Sequence, residues 1–139
     1  MAAEVHRRLA GLDLDLTSSN GFEIVDRLVG YDLAVIIDSM LTGRHEPGTV
    51  LKIDFSRSMC TLRASTTHGV GFGEAIELAR ACGAAVPGRI LVYGIEVRDP
   101  HSVGSGMSPD VRARIGPMAD EIVRDVTAAG GALIAETGA

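Results

Sequence analysis

Tryptophan is absent, aromatics make up 4% of the 139 residues, and only two cysteines occur. So few aromatics argue for a core of Ala, Val, Ile and Leu closed by tight turns, and against an aromatic binding surface. Cys60 and Cys82 form no C-x-x-C pair, and no signal peptide or apolar run of transmembrane length accompanies them. The expected setting is a reducing cytoplasm with two free thiols. Net charge is −5 and the basic residues are scattered. There is thus no electrostatic footprint for nucleic acid or for an anionic membrane surface. A G-x-S-x-G nucleophile elbow is lacking, Gly104-Ser105-Gly106 being the nearest approach, and Cys60 has no local catalytic signature.

What is present suffices for one core. With 46% apolar residues, the length fits a single α/β domain over residues 1–129, followed by a flexible small-residue tail over 130–139. The organising stretch is Leu33-Ala34-Val35-Ile36-Ile37-Asp38-Ser39. Its unbroken apolar run has no two-residue alternation, which predicts a strand covered on both faces. The run stops on a carboxylate. Ligands of open α/β sheets bind outside the carboxyl ends of the strands, so Asp38 is a candidate site residue on position alone.

The rest of the chain supplies alternating partners for that strand. Residues 2–10 read as a short helix, and Leu12-Asp13-Leu14-Asp15-Leu16 alternates as a strand with one wet face does. Ser18 to Gly21 offer cap chemistry for a helix from Phe22 to Val29, with Phe22, Val25 and Val29 inward. A polar loop carrying His45 leads to a strand at Thr49-Val50-Leu51-Lys52-Ile53. A further helix is predicted over 74–82, then a buried strand over 89–95 ending on Glu96. The last helix starts at Ser108-Pro109-Asp110 and runs to about Ala128. This alternation predicts a layered, mostly parallel sheet with helices on both faces.

Two reactive groups stand out. Asp38 and His68 together form a mixed oxygen and nitrogen ligand set suited to zinc, nickel or a similar ion. A helix N-terminus after His68 would keep its imidazole neutral and able to ligate, although capping and hydrogen bonding are equally ordinary roles. Gly69, Gly71 and Gly73 open the following helix as phosphate loops do. Their G-x-G-x-G spacing is not the dinucleotide fingerprint, however, and no P-loop lysine is present, so no nucleotide is expected. His45 reads as a solvated loop histidine. Glu96 and Asp99 either share the cleft of Asp38 or are solvated loop carboxylates.

Several short motifs occur in a telling order: Asn20-Gly21-Phe22-Glu23-Ile24-Val25, then Tyr31 to Ser39, then Glu46-Pro47-Gly48-Thr49-Val50, then Thr67-His68-Gly69-Val70-Gly71-Phe72-Gly73-Glu74-Ala75. Val92-Tyr93-Gly94-Ile95-Glu96 and Gly106-Met107-Ser108-Pro109-Asp110-Val111 complete the series. In this the chain resembles the hydrogenase maturation proteases, which remove a C-terminal extension from the large subunit of nickel-iron hydrogenases once nickel is in place. The resemblance spans residue 2 to about residue 128.

It implies that Asp38 and His68 contact nickel already bound in the large-subunit precursor, the expected partner, and that Asp38 is the matched candidate for activating water. The family's first acidic ligand sits in an N-terminal glycine-rich motif that would lie upstream of Met1. Leu16-Thr17-Ser18-Ser19 stands where relatives carry Asp-Gly-Gly-Thr. These departures leave a second expectation open, a non-catalytic or truncated metal-dependent module that binds the precursor without cutting it.

Overall fold

The computed structural model describes residues 1–16, 21–53, 71–98 and 107–137. The elements are α1 (Ala2–Arg8), α2 (Gly21–Leu28), β1 (Leu33–Met40), β2 (Val50–Ile53), α3 (Phe72–Ala81), β3 (Arg89–Glu96), α4 (Pro109–Ala113) and α5 (Ile115–Thr137). The strands form one sheet in the order β1-β3-β2. The Arg89 amide donates to the Asp32 carbonyl and the Val97 amide to that of Met40. The sequence offset is the same at both ends, so β1 and β3 are parallel. Strand β2 begins beside the end of β3, where the Gly48 amide donates to the Glu96 carbonyl at 2.8 Å and the Glu96 amide to that of Thr49 at 3.0 Å. It then runs back along β3, antiparallel. The expected α/β class is therefore present, with two parallel strands and one reversed.

The centre of the sheet is β3. Its Val92, Tyr93, Ile95 and Glu96 are all buried, whereas β1 buries only Ala34 and leaves its other apolar side chains half-covered. Among the described residues β1 is an edge strand, so an unbroken apolar run does not here signal a central position. The alternating segment Leu12 to Leu16 joins no strand, and Leu14 and Leu16 are exposed.

Contacts divide the chain into two compact units, each strand passing from one to the other. One comprises the described residues of Met1–Leu16, Ile37–Lys52 and Tyr93–Ala139, the other those of Thr17–Ile36 and Ile53–Val92. In the first, α1 and α4 pack on α5. Val5, Met118, Ile122 and Val126 are buried there, and Arg8 bonds both Glu4 and Asp120. In the second, α2 packs on α3 around Val25, Phe72, Ala75 and Ile76, joined by Ile24, Leu28, Ile36 and Ile90. The inward stripe of α2 is therefore Ile24, Val25 and Leu28. Phe22 and Val29, expected inward, are exposed, as are Leu78 and Cys82 of the α3 region.

The last helix departs from expectation at both ends. Pro117 has no amide hydrogen for the carbonyl of Ala113, and α4 stops there, Arg114 separating it from α5. At the other end α5 continues to Thr137, past the point where Gly130 and Gly131 predict a tail. Glycine in a helix interior costs roughly 1 kcal/mol, which a long helix can absorb.

Candidate active site

Asp38 is held on β1, just past the half-buried segment Leu33 to Ile37. Both Asp38 and Ser39 are exposed, and one Asp38 carboxylate oxygen (Oδ1) accepts the Ser39 amide at 2.8 Å. The strand does not stop on the carboxylate, as the apolar run suggests, but continues to Met40, so Asp38 is presented to solvent near the C-terminal end of β1. His68 lies outside the described residues, as do Asp99, Cys60, Ser105 and Gly69. No group of three or more potential metal ligands occurs among the described residues.

His45 is exposed, as expected of a loop histidine. Glu96 is different. It is no solvated loop carboxylate but the last residue of β3, only 1% exposed, and the one buried charged residue among those described. Its carboxylate accepts the Thr42 amide at 2.9 Å, the Thr42 hydroxyl at 2.7 Å and the Gly43 amide at 2.9 Å. Burial pushes its pKa up. The hydrogen bonds from Thr42 and Gly43, with the nearby charge of His45, outweigh that and hold it below the ordinary glutamate value.

The same residue closes the far end of the loop over residues 42–49 through its backbone bonds to Gly48 and Thr49. Gly48 has φ +81°, and a Cβ built there would lie 2.9 Å from the Cδ of Arg114, whose guanidinium donates to the Pro47 carbonyl at 3.0 Å. Gly48→Ala should therefore cost at least about 1–2 kcal/mol of stability from the left-handed backbone alone. Urea denaturation of the two proteins checks this.

A third cluster was not anticipated from the sequence. The Tyr93 hydroxyl donates to Asp125 at 2.5 Å, and Lys52 bonds the same carboxylate at 2.7 Å, in a groove also lined by Glu121 and Arg124. Its signal was available: a tyrosine inside a buried strand needs a partner for its hydroxyl. Hydrogen bonds from Lys52 and Tyr93 hold Asp125 low, while burial and Asp125 push the Tyr93 hydroxyl far above its usual range. A raised tyrosine pKa stabilises the fold fully below the unfolded value near 10, and that stability is lost as pH rises above it. Tyr93→Phe should cost about 1 kcal/mol at neutral pH and flatten the loss of stability above about pH 10. Denaturation midpoints at pH 7 and pH 11 read both effects.

The fold is shared with solved endopeptidases. The hydrogenase maturating endopeptidase HybD from E. coli superimposes with a TM-score of 0.56 at 22% identity, over 79% of this chain and 67% of that one. A solution structure of an endopeptidase from Escherichia coli gives 0.53 at 21% identity, over the same shares. No curated protein matches. The family model of HycI, hydrogenase maturation protease, matches residues 18–125. The chain belongs to the hydrogenase maturation protease family and is a peptidase. No helix among the described residues is long and apolar enough to cross a membrane.

Proposed function

We propose that the protein is the endopeptidase that removes the C-terminal extension of a nickel-iron hydrogenase large-subunit precursor after nickel insertion, in the cytoplasm. The observation that carries this reading is the exposed Asp38 carboxylate near the end of a strand that lies within the family match. By family resemblance Asp38 and His68 add a carboxylate oxygen and an imidazole nitrogen to nickel that arrives as part of the substrate. Such a mixed donor set suits this ion. Cleavage then depends on metal loading, because an empty precursor offers nothing for these side chains to bind.

Peptide hydrolysis needs a group to take a proton from water as its oxygen attacks the scissile carbonyl. The proton is then returned to the leaving amine. We assign this to Asp38, a role supported by its exposed carboxylate and by its engagement by the adjacent Ser39 amide. X-ray absorption at the nickel edge of loaded precursor tests the recognition step. Addition of the protein should change the first coordination shell, and His68→Ala should reduce that change. An unchanged spectrum with the parental protein would contradict the ligand roles.

A further inference from the structure

Asp38 sits near the end of a strand that has a neighbour on one side only among the described residues. Beyond it, the Val97 amide donates to the Met40 carbonyl at 2.9 Å, a bond of a kind shared by many strand ends. The loop over residues 42–49 is less ordinary, because both of its ends converge on Glu96. The Glu96 carboxylate takes Thr42 and Gly43, while its backbone takes Gly48 and Thr49. A buried carboxylate is costly to place unless hydrogen bonds satisfy it. In return it gives charge-assisted bonds, roughly twice as strong as those of a neutral acceptor, to Thr42 and Gly43, two successive residues beyond the end of β1.

We infer that Glu96 is a positioning residue for the peptidase reaction, fixing the Asp38 end of β1 through Thr42 and Gly43. This role rests on the one proposed for Asp38. A general base displaced by about 1 Å can lose roughly a hundredfold in rate.

The test uses the full chain as parent, Glu96→Ala, Glu96→Gln and Thr42→Val. For each, kcat and KM on nickel-loaded precursor are measured beside hydrogen exchange of the Thr42 and Gly43 amides and the melting temperature. Glu96→Ala should speed exchange at both amides at least tenfold and lower kcat at least tenfold. Glu96→Gln, which keeps one carbonyl acceptor, should recover part of each loss. Thr42→Val should move kcat the same way by less, and it carries the test with Glu96→Gln if the alanine variant does not fold. Folded variants with fast exchange but kcat within twofold of the parent, or with a change in KM alone, would overturn the role of Glu96 and leave that of Asp38 standing. A folded parent that does not cleave loaded precursor would overturn the proposed function, and the role of Glu96 in it.

Discussion

Asp38→Asn should lower the rate of precursor cleavage by at least about a hundredfold while leaving the protein folded. A positioned general base contributes roughly 10²–10⁴ in rate, and an amide cannot take the proton from water. Stability should change by no more than about 0.5 kcal/mol, because Asp38 is exposed and its carboxylate engages the adjacent Ser39 amide. The Asn side chain keeps an oxygen that can accept that bond. Single-turnover cleavage beside urea denaturation separates the two effects. A variant that cleaves at the parental rate removes Asp38 from the chemistry.

Glu96→Ala should behave in the opposite way towards stability, with a loss of about 2–4 kcal/mol. The substitution removes the acceptor shared by the Thr42 and Gly43 amides and the Thr42 hydroxyl, and hydrogen bonds to a charged group contribute roughly 1.5–3 kcal/mol each before water replaces part of that at these exposed donors. A pH signature accompanies it. The pKa of Glu96 is lowered in the fold, so the parent should gain stability from it above the ordinary glutamate value and lose that gain as pH falls through the acid range. In Glu96→Gln this part of the acid dependence should be missing. Denaturation midpoints between pH 3 and pH 7 for the two proteins check it; parallel curves would show that the carboxylate charge adds nothing.

How far these features could be read from residue order differs from one to the next. The position of Asp38 late in a strand was legible because the apolar run before it is a local property, although the strand continues beyond it to Met40. Helices α2 and α3 and strands β2 and β3 were likewise legible, since their apolar spacing and glycine stops are local properties. The exposure of Phe22 was not. Which face of α2 turns inward depends on α3, a partner some fifty residues away, and the pair settled on Ile24, Val25 and Leu28.

The same holds more strongly for Glu96. From sequence, a carboxylate at the end of a strand looks alike whether it is solvated or buried, because its three donors lie in another loop. Lys52, Tyr93 and Asp125 come from three separate elements and met only in the fold. The sheet order had the same origin. Hydrophobicity made β1 look covered on both faces, yet β3 carries the deepest burial, and the position of a strand is set by pairing that no single segment encodes.

If nickel in the precursor licenses cleavage, the protein should distinguish two forms of one substrate that differ only in the metal. Nickel-loaded and nickel-free large-subunit precursor are each mixed with the full chain, and the precursor's C-terminus is followed by intact mass. The extension should be lost from the loaded form alone. Loss from both forms would remove the dependence on nickel, and loss from neither, with the protein shown to be folded, would remove the peptidase reaction on this substrate.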